Sequence, residues 1–337
     1  YINNDENKEF VYLSSANEED IATIFKTFVQ PFNLESDKLL RMQIVETDEH
    51  NFYMMIDCHH IICDGLSLEI LCNELFNLYL GRKLEEIKVD YLDYCEWLSL
   101  SEYNNQKEFW INEFNGQIPV LDFPLDFRRP QKQSYNGDQI IISLDKKIIE
   151  KINLFCKKTS CTKFMIFLSS LIILLSKYSG QEDIIVGSPI SGRNHKDIEK
   201  AIGMFTKVLP FRGYPKKEKK FITLLEELKE YFFKAINNQD VPLEDVFKSL
   251  NIERDLSRNP LFDVMISYQE YSNNNSSGSD FEILPLTSGT SQFDMIFNIK
   301  EHNDSIDIIF EYCSDIFSKA NAHYILKHYV CLLYTSP

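Results

Sequence analysis

The chain has 337 residues, 44% of them hydrophobic and 26% charged, which is enough apolar material for one large unit or two lobes. Its 35 basic residues face 51 acidic ones, giving a net charge of −16. That balance opposes nucleic-acid binding, which depends on neutralising phosphates, and it suits anionic membranes poorly.

Ile21, Ile24, Phe25, Phe28 and Val29 form a helical stripe that Pro31 stops. Leu39 to Val45 and Phe52 to Ile56 read as two strands around a polar Thr47-Asp48-Glu49-His50 turn. The run His59-His60-Ile61-Ile62-Cys63-Asp64-Gly65 follows directly. Its Asp-Gly pair can turn the chain sharply. Leu68, Leu71, Leu75 and Leu78 then recur at helical spacing, with Ser67 as the expected N-cap and Gly81 as the stop. Two histidines therefore stand where a strand leaves a sheet and a helix begins, and imidazole can exchange a proton near neutral pH. Strand neighbours point to opposite faces. His60 is thus expected to share a face with Met54, Ile56 and Cys58, and His59 with Tyr53, Met55 and Asp57. The plainer reading of such a pair is two structural histidines near a turn. A metal site is disfavoured, because adjacent strand positions chelate one ion poorly and no HExxH or CxxC spacing supplies more ligands.

Helices are expected at Tyr91–Leu98 and Gln106–Phe114, with Tyr94 and Trp97 as core aromatics. Phe123 to Tyr135 holds two prolines and two arginines without a clear period, and the lobe boundary is placed there, dividing the chain into 1–130 and 131–337. A strand at Gln139–Leu144, helices at Lys146–Lys157 and Lys163–Lys177, and a strand at Asp183–Gly187 follow. The apolar stretch Phe164 to Leu175 falls short of the roughly 20 residues a bilayer needs and reads as a buried core helix. Lys216 to Lys220 is a basic run best read as a solvated helix entry, and Phe221 to Ile236 is a long amphipathic helix. Asn238-Gln239-Asp240 is expected to cap a helix opened by Pro242. Pro260, Leu261 and Phe262 are expected to start a strand, and Asn273 to Ser279 to form a surface loop. Strands near Phe281–Leu284, Phe293–Ile299 and Ile306–Phe310 lead to a last helix over Ser318–Leu333. This mixture favours mixed α/β architecture over a doubly wound parallel sheet, and no glycine-rich phosphate loop is present. The eight cysteines lack zinc spacing and read as free thiols, with packing the favoured role for Cys58 and Cys63.

The HHxxxDG spacing at His59 to Gly65 resembles the signature of the condensation domains of nonribosomal peptide synthetases, within the chloramphenicol acetyltransferase-like superfamily. Further stretches match that family in order. Pro31–Leu34 resembles PFDL, and Tyr91–Trp97 resembles YxDYxxW. Phe109-Trp110, followed by Phe123 to Pro130, resembles the crossover into the second half. Val186–Arg193 resembles VGxPxxGR, Ile202–Arg212 resembles IGxFxNTxPxR, Asn238–Glu244 resembles NQDxPxE and Arg254–Phe262 resembles RDxSRNPLF. Lys207 stands where the family usually has Asn. The family's first two motifs, SxxQxRxWxL and RHExLRTxF, are not found. The chain is therefore expected to be an N-terminally truncated piece of a longer polypeptide, with 1–130 an incomplete N-terminal lobe and 131–337 the C-terminal lobe.

The resemblance implies two chloramphenicol-acetyltransferase-like lobes in a V arrangement, with mixed sheets flanked by helices and a tunnel between them. It implies peptide-bond formation: the amine of a downstream aminoacyl thioester attacks an upstream acyl or peptidyl thioester. The phosphopantetheine arms would arrive on peptidyl carrier proteins beside an adenylation domain of the same cytoplasmic assembly line, with no directly bound cofactor and no metal. His60 is then the residue at the reaction centre, as general base or by positioning the amine. His59 supports it. Gly65 lets the backbone approach the substrate and offers its N–H to the oxyanion. Asp64 holds the loop through an ion pair with Arg193, Arg212 or a residue of the missing segment. A related acyltransferase, an epimerisation domain and a non-catalytic carrier-docking module are the alternatives.

Overall fold

Val11–Ala16 (β1) runs parallel to Leu40–Thr47 (β2), which pairs antiparallel with Phe52–Cys58 (β3), Ile44 facing Met54. The expected hairpin is present, with Thr47 N–H bonding Asn51 O at 2.9 Å. The computed structural model describes residues 11–16, 20–47, 51–250, 255–270, 289–302 and 305–335. Asp48–His50 of the hairpin turn, Arg254, the Asn273–Ser279 loop and the Phe281–Leu284 strand lie outside them.

Ile21–Phe28 (α1) ends ahead of Pro31, and Gly65–Tyr79 (α2) follows the histidine motif. Tyr91–Leu100 (α3) opens on a capping box in which the Asp90 and Asp93 side chains each accept the other's backbone N–H. Tyr94 is buried in a small core with Ile198, Ala201 and Phe205. Trp97 departs from expectation: it is 56% exposed and lies against the Tyr94 ring at 5.9 Å.

The chain divides into two units, residues 1–101 with 191–206, and 102–190 with 207–337. The aperiodic stretch Phe123 to Tyr135 places the expected division after residue 130. The fold instead groups 102–130 with the second unit, because Trp110 and Phe114 of Asn104–Glu113 (α4) are buried in that unit's core and Trp110 Nε1 donates to Asn238 O at 2.7 Å.

The second unit is built on a six-stranded mixed sheet. Its strands are Gly137–Ser143 (β4), Ile184–Ile190 (β5), Lys207–Gly213 (β6), Val264–Glu270 (β7), Met295–Glu301 (β8) and Ile306–Cys313 (β9), in the order β4-β9-β8-β7-β5-β6. β7 is parallel to β5 and to β8, and the other neighbours are antiparallel. β6 has no counterpart in the sequence reading, because Pro210 breaks its pattern; an edge strand tolerates the missing donor. Lys146–Thr159 (α5), Lys163–Ser179 (α6), Phe221–Asn237 (α7), Leu243–Leu250 (α8) and Lys319–Thr335 (α9) complete the unit. α6 is apolar all round and buries ten residues, as the core-helix reading expects. The Thr162 hydroxyl caps its start and Gly180, at φ 73°, its end. Among the described residues no single helix is long and apolar enough to cross a membrane.

Two local expectations are corrected. Asn238, Gln239 and Asp240 do not open α8. Asn238 caps the end of α7, its side chain donates to Lys234 O at 2.8 Å, and Gln239 Nε2 donates to Ile236 O at 2.8 Å. The strand expected from Pro260 begins at Val264, because Phe262 is used to fill the space over Gly187. A Cβ on Gly187 would lie 2.2 Å from Cε2 of Phe262. Gly187→Ala is therefore expected to destabilise the second unit by about 1–3 kcal/mol through overpacking, read as a lowered denaturant midpoint with an unchanged slope.

Candidate active site

β3 ends at Cys58, so strand alternation does not carry through the histidines. His59 N–H still bonds Leu39 O (2.9 Å), and Ile62 N–H returns to His59 O (3.1 Å), closing a tight turn. His60 lies inside that turn, exposed, next to the exposed side chains of Ile61 and Ile62. Hydrogen bonds, rather than sheet faces, separate the two rings. His59 Nδ1 accepts from the Ile61 N–H at 3.1 Å, which leaves the proton of the neutral ring on Nε2, and Phe32 packs edge-on at 5.8 Å. His60 Nδ1 lies 3.0 Å from Cys63 O. A carbonyl only accepts, so in the neutral ring of His60 Nδ1 carries the proton and Nε2 holds the lone pair.

Asp64, not Ser67, is the N-cap of α2: its carboxylate accepts from the Ser67 N–H at 2.8 Å. It is only 2% exposed and is surrounded by donors. Arg193 grips it with Nη1 at 2.8 Å and Nη2 at 3.1 Å. Phe205 N–H (3.0 Å), Thr206 N–H (3.1 Å) and Thr206 Oγ1 (3.2 Å) donate to the same carboxylate. Burial is the largest single influence on this acid and pushes its pKa up, but the Arg193 and Ser67 hydrogen bonds together override it and hold the carboxyl at about 2. Of the two arginines the sequence offers, Arg193 is the partner; Arg212 is committed to Asp183 at 2.9 and 2.7 Å. Gly192, at φ 63°, makes the turn that leads into Arg193. The guanidinium also covers the Phe205 ring at 4.3 Å and donates to Ala201 O at 3.2 Å.

Ser67 has a role that spacing alone did not suggest. It is fully buried, donates to Gly203 O (2.8 Å), and accepts from Gly203 N–H (3.0 Å) and Arg193 Nη2 (2.7 Å). The hydroxyl's donor and both acceptor sites are filled. Gly65 differs from most glycines singled out by a motif. Its φ is not positive, and a Cβ built on it meets nothing within 4 Å. Neither backbone strain nor internal packing requires glycine there, and no acceptor for its N–H occurs among the described residues. Cys63 is 6% exposed, and its hydrogen bond to Cys58, with burial, pushes its thiol well above the ordinary range, so it packs as a protonated side chain. Lys207, the departure from the family pattern, is neutralised by Asp240 at 2.8 Å, whose backbone N–H bonds Gln106 Oε1 at 2.9 Å.

Comparison with known proteins gives a consistent picture. The family model described as Condensation domain matches residues 3–335. Bacitracin synthase 3 of Bacillus licheniformis is 38% identical over 319 residues, covering 93% of this chain and 5% of that protein. Gramicidin S synthase 2 of Aneurinibacillus migulanus is 37% identical over 327 residues, covering 95% of this chain and 7% of that protein. This chain thus spans a small part of the relatives it matches. Among solved structures, the X-domain from teicoplanin biosynthesis superposes with a TM-score of 0.86 at 21% identity, over 96% of this chain and 78% of that one. The condensation domain from monacolin K polyketide synthase gives 0.83 at 17% identity, over 96% and 78%. These structural likenesses establish the mixed α/β fold.

Proposed function

This chain belongs to the condensation-domain family of nonribosomal peptide synthetases, whose members are amide-forming acyltransferases, and from that membership we propose that it joins two carrier-bound substrates through His60. The donor is an acyl or peptidyl thioester on an upstream carrier. The acceptor is the free amine of an aminoacyl thioester on a downstream carrier. Both arrive on phosphopantetheine arms, with an adenylation domain of the same cytoplasmic polypeptide supplying activated amino acids.

The observation that supports this reading is the His60 Nδ1 bond to Cys63 O, which in the neutral ring leaves Nε2 as the free base on an exposed side chain at the strand-to-helix turn. An α-amino group has a pKa of about 7.7–8.0, so a useful fraction is neutral at pH 7, and thioesters are activated acyl groups. The amine nitrogen bonds to the thioester carbon. Nε2 takes the proton that nitrogen must lose, and the C–S bond breaks as the proton passes to the departing sulfur. His59 carries its proton on the other nitrogen and acts as a support for the turn. Asp64 is ionised and fully bonded, so its task is to hold the loop. The Gly65 N–H, at the start of α2, is the donor for the developing oxyanion.

Gly65→Ala tests the last assignment. The added methyl meets no protein atom, and alanine suits a helix better than glycine, so stability should stay level or rise by up to about 1 kcal/mol. Amide formation should nevertheless fall, by up to about 100-fold, because the methyl occupies space next to the reacting carbonyl. A wild-type rate in single-turnover assays would remove Gly65 from the site. For the reaction as a whole, efficient turnover of a free coenzyme A thioester without carriers would contradict the carrier-bound reading.

A further inference from the structure

The peptide unit between Cys63 and Asp64 is held from both sides. Its carbonyl accepts from Nδ1 of His60 at 3.0 Å, and its N–H donates to Gly203 O at 3.3 Å. Gly203 C=O, the 63–64 amide and the His60 imidazole therefore form one line, with Nε2 at its end. Hydrogen bonds transmitted through an amide polarise one another in the same sense. Each acceptor upstream strengthens the Cys63 carbonyl as a partner for Nδ1–H, and a stronger partner there leaves Nε2 richer in electrons.

Gly203 is itself tightly held. Ser67 Oγ takes both its N–H (3.0 Å) and its C=O (2.8 Å). A Cβ on Gly203 would lie 2.4 Å from the Tyr91 ring, so the close approach needs glycine, and the Tyr91 hydroxyl donates to the next carbonyl, Met204 O, at 3.0 Å. Ser67 is fully buried and touches none of the groups assigned to the chemistry except through Asp64 and this peptide.

We propose that Ser67 and Gly203 are positioning residues for condensation: they fix the 63–64 peptide and, through it, which nitrogen of His60 is free to take a proton. The inference rests on the reading of His60 as the base. If the peptide rotates, its carbonyl leaves Nδ1, both tautomers populate, and Nε2 is free for only part of the time.

The test uses the intact synthetase that carries this chain, with both carriers loaded, and single-turnover amide formation across the neutral pH range. Wild type, Ser67→Ala, His60→Ala and the double variant are compared, with rates normalised to folded protein. Ser67→Ala is expected to slow the reaction by about 10-fold to 100-fold, the range produced by misplacing a catalytic group. The acidic limb of its pH–rate profile should move to lower pH, because Nε2 has become less basic. The double variant should match His60→Ala, since Ser67 acts through the ring. A merely structural serine would lower the thermal midpoint, leave the limb in place and add its loss to that of His60→Ala; that outcome overturns the relay alone. A wild-type rate for His60→Ala overturns the relay and the base assignment together. Should Ser67→Ala not fold, Tyr91→Phe decides. It removes the hydroxyl bond to Met204 O together with the hydroxyl's contact with the Cys95 thiol, and its smaller rate loss must likewise vanish in the His60→Ala background; an additive loss overturns the relay.

Discussion

His60→Ala is expected to slow amide formation by about 100-fold to 10,000-fold, the contribution typical of a positioned general base, while the chain keeps its fold. The second half of that statement follows from exposure. The ring is exposed and its hydrogen bond among the described residues is to Cys63 O, so its removal unpairs one backbone carbonyl and opens no core packing. With His60 as the proposed base, the loss should appear in the rate of the chemical step and not in carrier affinity, because that task would arise only as the amine gives up its proton. His60→Gln separates base from positioner: glutamine can hydrogen-bond an amine but cannot store its proton. A rate near wild type for His60→Gln would show that orientation alone suffices, and a loss as deep as that of alanine identifies proton transfer. His59→Ala should have a smaller effect, since it removes an Ile61 N–H acceptor and a contact with Phe32 from the turn.

Arg193→Ala is expected to be the most damaging change to stability in the first unit, at about 3–5 kcal/mol, because it strands a buried carboxylate. Asp64 would keep its backbone donors but lose both guanidinium contacts, while Ser67 Oγ and Ala201 O would lose a donor each. Arg193→Lys should recover little, since an ammonium cannot reproduce the two-pronged contact or cover the Phe205 ring. The same site sets a pH dependence. The folded-state pKa of Asp64 is about 2 against an ordinary 3.8, so the native state binds its proton later than the unfolded chain does. That stabilisation is fully present above 3.8 and is lost as pH falls toward 2; at 1.36 kcal/mol per pKa unit it is worth about 2 kcal/mol. Denaturant titrations at a series of acidic pH values should show this loss in wild type. In Arg193→Ala burial acts with less opposition, the carboxyl's pKa rises, and the loss should be much smaller.

Most of the regular structure was legible because it follows from local periodicity. The strands flanking the hairpin, α6 with its uncharged run and α7 with its amphipathic stripe all lie within a few residues of where spacing puts them. Edge features were harder to read. β1 and β6 lack clean alternation, and Pro210 lies within the latter. The site divides along the same line. His60, Asp64 and Gly65 are adjacent in sequence, so their motif announces them. What holds them comes from residues 191–206, more than a hundred positions away, and nothing local indicates that Gly203 meets Ser67 or that Arg193, and not Arg212, meets Asp64. Ser67 follows the same pattern. A serine after a turn is a good cap by local rules, but here the buried aspartate three residues earlier takes that place and frees the hydroxyl for a distant partner. Trp97 shows the converse limit: its aromatic character suggested the core, whereas its helix face is open to solvent.

The most direct measurement is the mass of the downstream carrier after a single turnover in the intact synthetase, with acyl donor and aminoacyl acceptor thioesters both loaded. The account predicts that this carrier gains the donor acyl group in place of an amine hydrogen, that the upstream arm returns to the free thiol, and that both changes slow together by about 100-fold to 10,000-fold in His60→Ala. An acceptor carrier of unchanged mass beside an intact donor thioester, with every domain folded, would contradict it.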